Sequence, residues 1–123
     1  MVNVKLYGTL VLLSALVFSS GCTTHKPMYD YVNYSETYYQ LKQNGDAETT
    51  AQWKTSLEEI IETSNAQAIR IPPGVNANLG YVHLKMNSIN KAIEYFKAEK
   101  ALYPESTVFM DKLIKKAELM NEG

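Results

Sequence analysis

Residues 78–104, NLGYVHLKMNSINKAIEYFKAEKALYP, constrain the fold more than any other part of the chain. Apolar residues recur at Val75, Leu79, Val82 and Met86. Steps of three and four predict a helix over about 75–86 with that stripe turned inward. Asn87-Ser88 supplies a turn, and a second helix over about 90–102 buries Ile93 and Phe96, with Ala92 as the small residue at the crossing. Pro104 stops this helix, because proline has no N–H and clashes with a preceding turn. Gly80 costs the first helix roughly 1 kcal/mol of propensity against alanine, which is tolerable where a neighbouring helix must come close. The pair forms a helical hairpin, and one hairpin cannot bury its own faces. The flanking chain must supply the rest of the core.

On the N-terminal side, Tyr29, Tyr31, Tyr34, Tyr38 and Tyr39 fall within eleven residues. Tyr31, Tyr34, Tyr38 and Leu41 share one face of a first helix predicted over about 29–43. A tyrosine ring suits a half-buried core as well as a recognition surface. Tyr29 and Tyr39, off that face, are therefore candidates for contact with a partner. Asn44-Gly45-Asp46 is a break, since glycine permits a left-handed helix end. A second helix follows over about 49–64, with Trp53, Leu57, Ile60 and Ile61 as a buried stripe and Trp53 as its anchor. Ile69 and Ile71 are expected to dock in extended form, and Pro72-Pro73 to fix the angle at which the next helix starts. Beyond Pro104, Ser106 is a candidate N-cap. The last helix, over about 107–120, should turn Phe109, Leu113, Ile114 and Ala117 inward and pair Asp111 with Lys115 outside. The fold class expected is all-α, with about five helices.

The spacing of Leu79-Gly80, Ala92, Phe96 and Pro104 resembles a tetratricopeptide (TPR) repeat over about 27 residues. Two departures stand out: His83, where an aromatic is usual, and Glu99, where a small residue is usual. The second implies a looser contact with the last helix, or a shift in which Ala98 takes that place. The resemblance implies a TPR-like array of roughly two and a half helix pairs. It also implies a groove lined from the first helix of the repeat by Ala77, Tyr81, Leu84 and Lys85. Tyr81 leads this set, as a large amphipathic ring off the Leu79, Val82 and Met86 stripe.

The wider chain is similar to an uncharacterised family of small bacterial TPR-like lipoproteins. The likeness is carried by the tyrosine-rich start, by Ile71-Pro72-Pro73-Gly74, and by Tyr95-Phe96 through Tyr103-Pro104-Glu105-Ser106 to Phe109-Met110. It implies a companion of a curli-secretion-channel-like lipoprotein and of a further small lipoprotein, with an accessory role in an envelope assembly.

Residues 1–21 have the parts of an export signal: Lys5, an apolar run from Leu10 to Phe18, then Ser19-Ser20-Gly21. The run is short for a transmembrane helix of ~20 residues. Gly21-Cys22 resembles the end of a bacterial lipobox, with Ser19 where that motif usually has leucine. The resemblance implies lipid attachment at Cys22, and Thr23 in place of aspartate implies an outer-membrane address on the periplasmic face. The expected organisation is a signal peptide over 1–21, a tether over 22–28 and a TPR-like domain over 29–123. Removing 21 of 123 residues leaves 102; losing Lys5 leaves 12 − 1 = 11 basic against 13 acidic residues, a net charge of −2.

That balance argues against a nucleic-acid partner, which needs a concentrated basic face. The one cysteine excludes an internal disulfide and a cysteine-based zinc site. His25 and His83 stand alone, no glycine-rich phosphate loop is present, and Glu58-Glu59 reads as a solvated helix face. Neither a nucleophile with its base nor a metal ligand set is assembled, so no catalytic residue, metal, cofactor or small-molecule substrate is expected. The function expected is an outer-membrane-anchored adaptor or assembly factor in a cell-envelope complex, with a channel-like complex in view. A pilotin-like chaperone that localises an outer-membrane channel subunit is the alternative.

Overall fold

A computed structural model describes residues 26–122. The expected signal peptide, Cys22 and the first residues of the tether lie outside the described residues, as does Gly123. The described chain is all-α, with no strand. Its helices are α1 (Tyr34–Asn44), α2 (Ala47–Ala66), α3 (Val75–Lys85), α4 (Ile89–Leu102) and α5 (Thr107–Asn121), with a single 3-10 turn, Pro104–Ser106, before α5. Each helix packs on the next in the chain. Short connections force successive helices to run antiparallel, as in any helical hairpin.

The helix boundaries follow from local chemistry. Gly45 ends α1 at φ 64°, its N–H donating to Leu41 O at 2.9 Å. Asp46 then caps α2, accepting from Thr49 N–H and from Thr49 Oγ1, each at 2.8 Å. These bonds hold the Asp46 carboxyl below its ordinary pKa. α2 and α3 both close in Schellman geometry. Ile69 N–H donates to Ser64 O with Ala68 at φ 48°, and Ser88 N–H donates to His83 O with Asn87 at φ 58°.

α1 begins five residues later than the tyrosine spacing predicts. Asp30 Oδ1 accepts from Val32 N–H at 3.0 Å, Val32 sits at φ 42°, and Tyr34 N–H donates to Tyr31 O at 2.8 Å. This turn competes with helix, so Tyr29 and Tyr31 precede α1.

The core has two clusters. Trp53, Leu57 and Ile60 of α2 meet Val75, Leu79 and Val82 of α3. On the other side Leu84 of α3 meets Ile89, Ala92 and Phe96 of α4 and Met110, Ile114 and Ala117 of α5. α3 belongs to both, and its inward surface extends well past the predicted stripe. Met86 is a correction: it is the C-cap of α3 and is exposed. Phe109 is another. It is 61 % exposed while Met110 fills the core: Met110, Ile114 and Ala117 stand at i, i+4 and i+7 on one face, and Phe109 lies about 100° round the helix from Met110. Ser106 does not cap α5; its Oγ donates to Tyr103 O at 2.7 Å. Asp111 pairs with Lys100 of α4 at 2.5 Å, not with Lys115.

Gly80 does what its sequence position implies. A Cβ there would stand 2.7 Å from Phe96 Cε1 and 3.1 Å from Ala92 O. Glu99 corrects the expectation of a looser contact. It is buried, accepting from Gly74 N–H at 2.7 Å and from Ala77 N–H at 3.3 Å. Gly74, at φ 86°, is the N-cap of α3 and has no side chain of its own to offer. A carboxylate from α4 therefore caps α3, where a negative charge suits the helix dipole.

Two stability measurements check this packing. Gly80→Ala should gain about 1 kcal/mol of propensity and lose more to overpacking, for a net loss of ~1–2 kcal/mol in denaturant unfolding. The loss should shrink in a Phe96→Leu background; equal losses in both backgrounds would refute the contact. Glu99→Ala, which leaves two helix-start N–H groups without their acceptor, should cost about 2 kcal/mol, and Glu99→Gln less.

Candidate partner-binding groove

A groove of about 360 Å³ opens between α1 and α3, with α2 as its floor. Its base is apolar: Trp53 from α2, Leu41 from α1 and Val82 from α3. The base is fixed by aromatic packing. Tyr34 meets Trp53 edge-on at 4.7 Å between centroids, Tyr38 meets it at 5.2 Å, and Tyr34 and Tyr38 stack at 6.2 Å. Asn78 Nδ2 donates to Tyr34 Oη at 3.2 Å, tying α1 to α3 across the groove. Burial, with Tyr38 and Tyr31 nearby, pushes the Tyr34 hydroxyl above its ordinary pKa, so it stays neutral.

The rim repeats one arrangement on two helices. Lys42 Nζ lies over the Tyr38 ring at 5.5 Å, and Lys85 Nζ lies over the Tyr81 ring at 5.4 Å. In each pair the residues stand four apart on one helix, so lysine and tyrosine share a face. Tyr81 is 49 % exposed, and Lys85 is exposed beside it. Among the described residues that line the groove, none is acidic. Two cations resting on aromatic faces, above an apolar base, suit a carboxylate-bearing segment with apolar side chains.

The predicted site residues divide. Tyr81 and Lys85 both line the groove. Leu84 does not: it is buried in the α3–α4–α5 core, and Ala77 packs half-buried against the same cluster. Residues 77 and 84 are seven apart and share one side of α3, whereas 78, 81 and 85 are turned some 40–120° away at about 100° per residue. Tyr39 is exposed on the far side of α1, beside Glu36 and Gln43, and does not join the groove. Of the repeat-signature positions, Leu79, Gly80, Ala92 and Phe96 are buried, and Pro104 opens the 3-10 turn.

Lys42 was missed by the sequence reading. The signal was available, since Tyr38–Lys42 and Tyr81–Lys85 carry the same spacing. His83 is packed behind α3, away from the groove. It is buried and stacked on Tyr95 at 5.3 Å, and burial together with Lys54 and Lys91 holds its pKa below the ordinary value. Among the described residues no three histidine, cysteine, aspartate or glutamate side chains are grouped so as to hold a metal, and no helix is long and apolar enough to cross a membrane.

One family description matches this chain: a domain of unknown function, DUF4810, over residues 28–113. The chain belongs to the DUF4810 family. The matched span takes in the turn before α1, both walls of the groove and α5 as far as Leu113. No curated protein and no solved structure matches the chain.

Tyr81 on the groove rim and Tyr34 packed against Trp53 should respond differently to truncation. Tyr81→Ala removes an exposed ring and should shift stability by no more than about 0.5 kcal/mol. Tyr34→Ala, which empties the space beside Trp53, should cost ~2–3 kcal/mol. Thermal melts of the two variants decide it, and a large loss for Tyr81→Ala would assign that ring to the core.

Proposed function

We propose that this DUF4810 chain is an outer-membrane lipoprotein, anchored through Cys22 with its domain on the periplasmic side. Its groove captures a carboxylate-bearing segment of a protein partner within a cell-envelope assembly. The observation that carries the reading is the doubled Tyr–Lys rim over an apolar base that holds no acidic side chain. Trp53 is held from one side by Tyr34 and Tyr38, so the apolar base keeps its shape while the groove is open. The anchor is supported by the leader and by Gly21-Cys22. Several acyl chains on one cysteine matter here, because a single chain binds membranes only marginally. The resemblance to companions of a channel-like lipoprotein supports an assembly role, and the reading invokes no cofactor and no reaction.

Photo-crosslinking in cells tests it, with the crosslinker at Tyr81 in the intact lipoprotein. A discrete adduct should form, and reversing both charges in Lys42→Glu/Lys85→Glu should reduce it on the order of tenfold, since exposed ion pairs contribute up to ~1 kcal/mol each. Cys22→Ala should abolish the adduct if capture happens only at the membrane. An adduct untouched by the double charge reversal would reject the groove. Loss of a channel subunit's outer-membrane location on deleting the lipoprotein would favour the pilotin-like alternative.

A further inference from the structure

The segment that leaves the anchor does not run directly into α1. Lys26 Nζ donates to Gln67 O, and Gln67 Nε2 donates to Asp30 Oδ2 at 3.2 Å, while burial and the neighbouring Tyr29 hydroxyl push the Tyr103 hydroxyl above its ordinary pKa. Tyr103 Oη in turn donates to Ile71 O at 2.5 Å, and Arg70 lies over the Tyr103 ring at 4.4 Å. The segment thus crosses the end of the stack where α2 and α4 finish and α3 and α5 start.

That end is apolar as well as tethered. Met28 is 72 % exposed, Val32 52 %, Val108 72 % and Phe109 61 %. Val32 is held in the left-handed region at φ 42°, where a β-branched residue is an outlier, so its exposure is fixed by the turn. Lys112, Lys115 and Lys116 continue the outer face of α5 from Val108 and Phe109.

Cys22 and Lys26 are 26 − 22 = 4 residue steps apart, a reach of at most about 14 Å. The interfacial layer on each side of a bilayer is ~5–8 Å thick. A cysteine acylated at the hydrocarbon boundary therefore leaves Lys26 little room to stand clear of the headgroups.

We propose that this end of the stack rests on the membrane itself, with Met28, Val32, Val108 and Phe109 in the headgroup boundary and the α5 lysines against anionic headgroups. The proposal rests on the lipid anchor at Cys22. It fixes the protein's orientation: the groove, whose rim reaches Gly45 and Lys85 at the opposite end, opens away from the membrane. The occupant is a lipid surface because the short tether ends on this face and because apolar and cationic side chains share it.

The test is spin labelling of the lipidated protein in vesicles of phosphatidylethanolamine with a minority of phosphatidylglycerol. Cys22 is consumed by its lipid, so Val108→Cys, Phe109→Cys and Met86→Cys each give a single labelled site at an exposed position. Labels at 108 and 109 should be relaxed several-fold more by oxygen, and less by a water-soluble nickel chelate, than the label at 86. Equal accessibility at all three sites overturns the proposal. Protection of 108 and 109 in the Cys22→Ala form without vesicles also overturns it, because a second copy of the chain would then cover the face. Mass spectrometry of Cys22 keeps the two readings apart: no acyl mass rejects the anchor before any label is read, whereas an acylated protein with exposed labels rejects only the orientation.

Discussion

A buried carboxylate on α4 holds the start of α3, and the remaining architecture depends on that bond. Gly74 must take a left-handed conformation to turn Pro72-Pro73 into a helix, and a glycine has no side chain with which to cap. Glu99 supplies the missing acceptor from 25 residues away, reaching Gly74 and Ala77 N–H. A long-range cap fixes both the axial register and the angle of α3 against α4. Gly80 then lets Phe96 press against the α3 backbone at that same crossing. Local propensity alone would leave α3 a poor helix, with a glycine inside it and no N-terminal side-chain cap.

Because α3 contributes to both core clusters, neither hairpin is a complete unit. The Trp53 cluster needs Val75, Leu79 and Val82 from α3, and the Phe96 cluster needs Leu84 from the same helix. This is the physical content of the rule that helical hairpins are stable only in stacks. It also explains why the groove lies where it does. With two sides of α3 committed to cores, the strip carrying Asn78, Tyr81 and Lys85 is left to face α1.

Much of this was legible in the sequence, for reasons that can be named. Period and punctuation gave the five helices and the break at Gly45, and the Gly80, Ala92 and Phe96 spacing gave the crossing. What the sequence hid was non-local. Glu99 read as a misplaced charge, because a cap delivered across 25 residues leaves no local pattern. At the start of α5 Phe109 read as the core residue because of its size, whereas Met110 shares the face of Ile114 and Ala117. α1 started late because Asp30 offered Val32 a competing turn. Of the groove positions, Tyr81 and Lys85 were identified, while Leu84 and Ala77 were assigned by resemblance to a face that here belongs to the core.

The strap formed by Lys26 and Asp30 on Gln67 has a mechanical consequence. On the proposed reading, with the anchor at Cys22 and a partner in the groove, the chain is pulled at both points. Were residues 26–33 simply continuous with α1, tension would unzip that helix one turn at a time from its loaded end, and the groove would lose a wall. Instead the segment is first fastened to Gln67 after α2, through Lys26 and Asp30. A load on the segment then reaches the end of the long helix α2 before it reaches α1.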